Sequence, residues 1–202
     1  ESMTSCLLPI ANANGKHIVT IEGINFPDTL NPIQLAMADE GATQCGFCTP
    51  GFVVSLAGFC LSYKSENAIA AVDGNICRCT GYKSIERAAN RIAAITKEKQ
   101  GTDSIEFVTK NKILPEYFSE IKERLNKLKS ATFTIDHSPF TIVGGGTDLY
   151  VQKHEEMVYA DSRYVFDHPE LNSITKELNK CILGSSVTVS DLMASPIFNE
   201  AF

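Results

Sequence analysis

Two tight pairs of cysteines constrain this chain more than any other feature of its sequence. Two residues separate Cys45 from Cys48, and a single residue separates Cys77 from Cys79. The chain has seven cysteines in 202 residues, and an odd number leaves one thiol over in any disulfide scheme. Closely spaced pairs are instead typical of metal sites in a reducing compartment. Four thiolates in two pairs match the ligand set of a [2Fe–2S] cluster.

Helix signals surround both cysteine pairs. Asn31 and Thr49 each precede a proline, which is a favourable start for a helix, and the first of these helices is expected to end at Gly41. A third helix is predicted over 65–73. A fourth is predicted from Ser84 onwards, where apolar residues recur at helical spacing. Four short helices in sequence predict an all-α bundle around the cysteines.

The setting of the cysteines favours iron–sulfur over zinc without excluding zinc. Each pair directly precedes a predicted helix, so backbone N–H groups and the positive end of the helix dipole would face the negatively charged site. Gly46, Gly51 and Gly81 are expected to let the backbone approach the sulfurs closely. Structural zinc also takes four cysteines, but it usually has two to four residues between the members of both pairs. A zinc-stapled helical interaction module therefore stays open as an alternative.

Outside the cysteine region the sequence predicts strands. Apolar and polar residues alternate over 16–24, which predicts a short strand ending at Gly23. Further strands are predicted at 140–143, 164–166 and 181–183. These later strands predict the opening of an α/β or α+β domain.

Charge and hydropathy restrict the possible partners and location. The formal net charge of −6 disfavours a nucleic-acid-binding surface, which would carry clustered lysines and arginines. No apolar run reaches the roughly 18 residues that a membrane-spanning helix needs. The first residues lack a basic region followed by an apolar core, so no signal peptide is expected. Together with the cysteine usage, this predicts a cytoplasmic location.

The residues around both pairs resemble a known family. Gln-Cys-Gly-Phe-Cys-Thr-Pro-Gly-Phe (44–52) and Gly-Asn-Ile-Cys-Arg-Cys-Thr-Gly-Tyr (74–82) are similar to the helical [2Fe–2S] domain of the molybdenum hydroxylase (xanthine dehydrogenase) family. The resemblance covers roughly 31–96 and implies that the four cysteines hold one cluster. It also implies that Gln44 and Cys79 lie beside the pterin of a molybdenum cofactor in a partner chain. Without the resemblance, Gln44 would be interpreted as a polar residue that caps the loop.

The remaining cysteines have other expected roles. Residues 5–10 resemble the end of the plant-type ferredoxin domain of the same family, and Cys6 would be the fourth ligand of a second [2Fe–2S] cluster. The other three ligands of that cluster are not in this sequence. Cys60 and Cys181 lie among apolar residues and are expected to pack in the core.

A glycine-rich loop suggests a flavin site. A strand followed by three glycines and a helix start can present backbone N–H groups to a pyrophosphate, although a plain tight connection would look the same. By resemblance, this is the first FAD-binding loop of the family's flavin domain, formed by Val143, Gly144, Gly145, Gly146, Thr147, Asp148 and Leu149. Residues 184–192 resemble a later segment of that domain. Because 138–202 would cover only its beginning, the FAD site is expected to be incomplete in this stretch.

The predicted fold class is multi-domain α+β, an all-α four-helix [2Fe–2S] bundle followed by the start of an α/β FAD-binding domain. The predicted segments are the C-terminal remnant of a ferredoxin domain (1–24), the helical [2Fe–2S] domain (25–96), a linker (97–132) and the N-terminal part of the FAD-binding domain (133–202).

The resemblance implies an electron-transfer subunit with no residue that breaks substrate bonds. It points to the iron–sulfur/flavin small subunit of a bacterial-type xanthine dehydrogenase. Electrons from a molybdenum-cofactor-binding large subunit would pass through [2Fe–2S] clusters to FAD, and then to NAD or another acceptor. The same role in an enzyme that oxidises an aldehyde, nicotinate or carbon monoxide is an alternative. Phe47, Phe52 and Ile76 are expected to help exclude water from the cluster.

Overall fold

The chain forms two units, each with its own internal packing. The structure is a computed structural model. It describes residues 2–62, 67–99, 101–128, 140–166 and 168–201. The first unit comprises Glu1–Thr4 and Gly15–Ser130, and the second comprises Ser5–Asn14 and Ala131–Phe202.

The described part of the first unit is helical. Its α-helices are α1 (Pro32–Asp39), α2 (Thr49–Leu61), α3 (Ala68–Val72), α4 (Lys83–Thr96), α5 (Ser104–Lys110) and α6 (Phe118–Asn126). Helices α1 to α4 occur where the sequence predicts helices, and residues 65–66 of the predicted third helix lie outside the described residues. Helix α1 packs against α2 and α4, and α3 also packs against α2 and α4.

Helix α1 starts at a fully formed capping box. The Asn31 side chain accepts a hydrogen bond from the backbone N–H of Gln34 at 2.9 Å, and the Gln34 side chain accepts the Asn31 N–H at 2.9 Å. Asn31 is 1% exposed, and its amide also donates to the carbonyl of Ile24 at 3.3 Å. The cap therefore fixes the start of α1 and also holds the preceding segment against the helices.

Helix α2 lies at the centre of the core. Seven of its thirteen residues are buried, so it is covered on several sides rather than on one stripe. Helix α4 is amphipathic and buries Ile85, Ala88, Ala89 and Ile92 against its neighbours. These side chains belong to one continuous apolar cluster that joins the four helices around the cysteine loops.

The segment predicted as a linker adds side chains to the same core. Its described residues include α5 and α6, and α5 packs against α2. Helix α5 was not predicted from the sequence. It is capped by the Asp103 side chain, which accepts hydrogen bonds from the N–H groups of Ile105 and Glu106. The buried side chains from this segment are Phe107, Val108, Ile113, Leu114 and Phe118.

The strand predicted over 16–24 is wrong. Residues 17–20 have no regular structure, and Ile21–Ile24 form a 3₁₀ turn. No strand of the described residues pairs with this segment, and an isolated strand leaves its backbone groups without partners. Instead, Val19 and Ile21 pack against the helical core, and the Tyr117 hydroxyl donates to the carbonyl of Gly23 at 2.7 Å.

The described part of the second unit combines short strands and helices. Strand β1 (Thr141–Val143) pairs in parallel with β2 (Ser162–Tyr164), and β3 (Ile174–Glu177) pairs antiparallel with β4 (Lys180–Leu183). The helices are α7 (Thr147–Gln152), α8 (His154–Met157), α9 (Val189–Ala194) and α10 (Pro196–Ala201).

Two of the predicted strands in this unit are found at their expected places, and one is displaced. Strands β1 and β4 agree with the predictions at 140–143 and 181–183, whereas β2 begins and ends two residues earlier than the strand predicted at 164–166 and shares only Tyr164 with it. The displacement of β2 follows from the strand pairing, in which Val143 lies opposite Tyr164. Directly after β2, the N–H of Val165 donates to the carbonyl of Val143 at 2.9 Å. The fold is mixed and helix-rich with small sheets, and none of the described helices has the length and apolar character needed to cross a bilayer.

We expect Asn31→Ala to lower the free energy of unfolding by about 2 kcal/mol, the upper end of the range for helix caps, because a buried donor and acceptor lose their partners as well. Asn67→Ala is the matched control, since Asn67 caps α3 from an exposed position. Its loss should be about 0.5 kcal/mol. Urea unfolding followed by circular dichroism measures both, and equal losses would contradict a structural role for Asn31 beyond capping.

Candidate metal centre

The packing of α2, α3 and α4 brings the two cysteine motifs together. Cys48 directly precedes α2, and Cys77 and Cys79 lie in the loop that connects α3 to α4. The Asn75 amide joins this loop to α2 by donating to the hydroxyl of Ser55 at 2.8 Å. A Cβ atom on Gly51 would lie 2.6 Å from the Asn75 side-chain oxygen, so glycine leaves room for the Asn75 side chain in its observed position.

The four thiols form two pairs, and each pair joins one motif to the other. The sulfurs of Cys45 and Cys79 are 3.4 Å apart. The thiols of Cys48 and Cys77 are close enough for each to shift the pKa of the other. Two sulfurs on one tetrahedral metal are about 3.8 Å apart if each metal–sulfur bond is about 2.3 Å. The arrangement therefore resembles two metal positions with two sulfurs each. Among the described residues, no three His, Cys, Asp or Glu side chains gather around one point closely enough to hold a single ion.

Hydrogen bonds to Cys77 stabilise its thiolate form. The Thr80 hydroxyl donates to the Cys77 sulfur at 3.1 Å, and the Thr80 N–H donates to it at 3.4 Å. These bonds, followed by one from the Cys79 N–H, lower the pKa of Cys77 to about 7. Because a metal binds the thiolate, a lowered pKa favours metal uptake at neutral pH.

The pKa values of the other three thiols are shifted as well. A hydrogen bond from the Phe47 N–H is the main cause that lowers the pKa of Cys45, whereas the thiol–thiol bond to Cys45 raises the pKa of Cys79. Burial is the main cause that raises the pKa of Cys48. Each pair thus combines one thiol with a lowered pKa and one with a raised pKa. A metal ion in the position of the shared proton would satisfy both sulfurs.

The site is open on one side. Cys77 is buried and Cys48 is half-buried, but Cys45 and Cys79 are exposed. Gln44, which precedes Cys45, is also exposed. The backbones of Gly46 and Gly81 have positive φ angles, and a Cβ atom there would meet no protein atom within 4 Å. These two glycines therefore serve the shape of the loops.

The expected shielding by Phe47, Phe52 and Ile76 is not found in the part of the chain that the structure describes. Phe47 is 94% exposed and Ile76 is 84% exposed, whereas Phe52 is 1% exposed. Phe47 and Ile76 lie in loops, where none of the described helices of the first unit covers them, and Phe52 packs in the core from α2.

Thr80 and Tyr82, which the sequence did not single out, bond to Cys77. The Tyr82 hydroxyl accepts a hydrogen bond from the Cys77 N–H at 3.0 Å, and Thr80 bonds the Cys77 sulfur as described. The sequence signal that could have indicated this role is the position of two hydroxyl-bearing residues, Thr80 and Tyr82, directly after Cys79 and on either side of Gly81.

The remaining cysteines lie apart from these four in the sequence. Cys6 is exposed in the 3₁₀ turn Ser5–Leu7 of the second unit. Cys60 is fully buried in α2, as predicted, and burial raises its pKa to about 12. Cys181 is half-buried in β4.

The glycine-rich loop has the predicted strand, turn and helix. Strand β1 ends at the buried Val143, the three glycines follow, and α7 begins at Thr147. Asp148 and Leu149 continue its first turn. The carbonyl of Gly144 accepts a hydrogen bond from the Asn12 amide at 3.3 Å, and a Cβ atom on Gly146 would lie 3.0 Å from Pro9. Gly144 and Gly145 border open space.

The first unit is similar in sequence to known proteins. Residues 20–90 match the family described as the [2Fe-2S] binding domain. The xanthine dehydrogenase of Blastobotrys adeninivorans is 42% identical over 94 residues, which cover 45% of this chain and 7% of that protein. The aldehyde oxidase 2 of Cavia porcellus is 41% identical over 88 residues, which cover 42% of this chain and 7% of that protein.

A longer match extends over both units. The xanthine dehydrogenase of Emericella nidulans is 26% identical over 247 aligned positions, which cover 95% of this chain and 18% of that protein. The chain thus spans less than a fifth of these relatives. All four cysteines of the candidate site lie within the segment that matches the [2Fe-2S] binding domain. The matches support membership in the molybdenum hydroxylase family, with the segment similar to a [2Fe-2S] binding domain at residues 20–90.

Proposed function

We propose that Cys45, Cys48, Cys77 and Cys79 hold one [2Fe–2S] cluster through which the protein passes electrons. The observation that carries this proposal is the pairing of the four thiols across the two motifs. One iron would be bound by Cys45 and Cys79, and the other by Cys48 and Cys77. Each iron would therefore join the loop before α2 to the loop before α4.

The chemistry of the donor set supports the assignment. Four thiols match the usual protein ligands of a [2Fe–2S] cluster, which when bound supplies one-electron redox chemistry. The thiols with lowered pKa, Cys45 and Cys77, are placed one in each pair. Backbone N–H groups and the Thr80 hydroxyl supply hydrogen bonds that would stabilise negative charge on the sulfurs.

The open side of the site suggests where electrons arrive. Phe47 and Ile76 are almost fully exposed, and both are close in sequence to the site, where two of the four proposed ligand sulfurs are exposed as well. Exposed apolar side chains of this kind are typical of a surface that a partner protein covers. We infer that a molybdenum-cofactor-binding domain or subunit docks on this face, with Gln44 and Cys79 beside its pterin. The names of the relatives suggest that the substrate oxidised there is a purine such as xanthine or an aldehyde.

Electrons would continue toward a flavin. In this proposal Cys6 is the fourth ligand of a second [2Fe–2S] cluster, and the loop from Val143 to Leu149 contributes to an FAD site. The strand–turn–helix geometry and the open space beside Gly144 and Gly145 support the second assignment. FAD would pass the electrons to NAD or another acceptor, in a cytoplasmic enzyme.

We expect Cys79→Ser to abolish the visible absorbance and the EPR signal of the cluster. A serine hydroxyl has a much higher pKa than a thiol and is a poor substitute for one sulfur of the Cys45–Cys79 pair. Cys181→Ser removes a thiol outside the site and should leave both spectra unchanged. Unchanged spectra in the Cys79→Ser protein would overturn the ligand assignment.

We expect Phe47→Asp to weaken binding of the molybdenum partner at least tenfold while the cluster spectrum stays intact, because a charge would be buried at the interface. Leu178→Asp is the control, since Leu178 is 96% exposed in the second unit. Binding of the full-length variants to the partner can be compared by calorimetry. Equal affinities for the Phe47→Asp and unmodified proteins would place the docking face elsewhere.

A further inference from the structure

We infer that Tyr82 is a positioning residue for the cluster, and that it acts through Thr80 on the sulfur of Cys77. This inference rests on the proposed function, because it assumes that Cys77 is a ligand. It goes beyond that function by assigning a redox role to a side chain that is not itself a ligand.

A closed set of hydrogen bonds links the three residues. The Cys77 N–H donates to the Tyr82 hydroxyl at 3.0 Å. The Tyr82 N–H donates to the Thr80 hydroxyl oxygen at 3.3 Å. The Thr80 hydroxyl and N–H both donate to the Cys77 sulfur, at 3.1 and 3.4 Å. Starting from Cys77, the bonds therefore run through Tyr82 and Thr80 and return to Cys77.

The backbone of Tyr82 is strained to make this arrangement possible. Its φ angle is +70°, in the left-handed region that residues other than glycine and asparagine rarely adopt. The residue immediately precedes α4, and its main chain would be accommodated more easily by glycine. What a glycine would lack is the hydroxyl that holds the Cys77 N–H. The strain is thus compensated by contacts of the side chain.

The Tyr82 N–H orients the Thr80 hydroxyl. By occupying a lone pair of the Thr80 oxygen, it leaves the hydroxyl hydrogen directed at the Cys77 sulfur. One-electron reduction adds negative charge to the cluster and its sulfurs. Hydrogen bonds to those sulfurs therefore stabilise the reduced form more than the oxidised form and raise the reduction potential.

Removing the Tyr82 hydroxyl should loosen the loop and weaken both bonds from Thr80. In the full-length protein with its cluster, we expect Tyr82→Phe to lower the equilibrium constant for reduction about threefold, which is about 28 mV at 59 mV per tenfold change. Thr80→Val removes the hydroxyl donor directly and should lower the constant about tenfold, or about 59 mV. Redox titration followed by EPR measures both shifts.

A double variant tests whether Tyr82 acts through Thr80. In the Thr80→Val background, Tyr82→Phe should produce a clearly smaller shift than in the unmodified protein, because the hydroxyl bond that it supports is already absent and only the Thr80 N–H bond remains. Tyr117→Phe is the matched control. It removes a tyrosine hydroxyl hydrogen bond of 2.7 Å to Gly23 in the same unit, and it should leave the potential unchanged.

The outcomes separate this inference from the proposed function. An unchanged potential in Tyr82→Phe, or full additivity in the double variant, would overturn it. If Tyr82→Phe keeps its helical circular dichroism but does not take up the cluster, positioning is supported, whereas loss of both would show a general folding role and overturn the inference. An unmodified protein without iron would instead refute the proposed function itself.

Discussion

The approach of the loop after α3 to the start of α2 is the contact on which the cysteine site depends. The two motifs are separated by 28 residues between Cys48 and Cys77, and neither motif alone gathers four thiols. Asn75 bonds Ser55 across this junction, and the missing side chain of Gly51 gives Asn75 the room to do so. Because α2 is buried in the core, its first turn provides a fixed platform for Cys48. The pairing of the thiols across the motifs follows from that packing.

The polar environment then differentiates thiols of the same chemical type. Cys45 and Cys77 accept backbone or side-chain hydrogen bonds that lower their pKa, whereas the pKa of Cys48 is raised mainly by burial. The two motifs each contribute one thiol of either kind. The lowered pKa values of Cys45 and Cys77 favour the thiolate form of one sulfur in each pair.

Local signals in the sequence predicted much of the helical unit. The Asn31 cap, the proline after it and the apolar spacing in α4 act within a few residues, so they could be identified without tertiary information. The strand at 16–24 failed because alternation shows only which side chains can face a surface, and here the surface is a helical core. Helix α5 was overlooked because its apolar residues are few and interrupted by polar ones. The exposure of Phe47 and the bond from Cys77 to Tyr82 depend on the loop conformation, which composition and spacing do not specify.

A [2Fe–2S] cluster and a single structural ion differ in composition, so iron, acid-labile sulfide and zinc in the purified protein distinguish them. We expect about two irons and two sulfides bound to the four thiols of each chain, as the composition of a [2Fe–2S] cluster requires, together with a brown colour. One zinc per chain, with neither sulfide nor colour, would contradict this expectation.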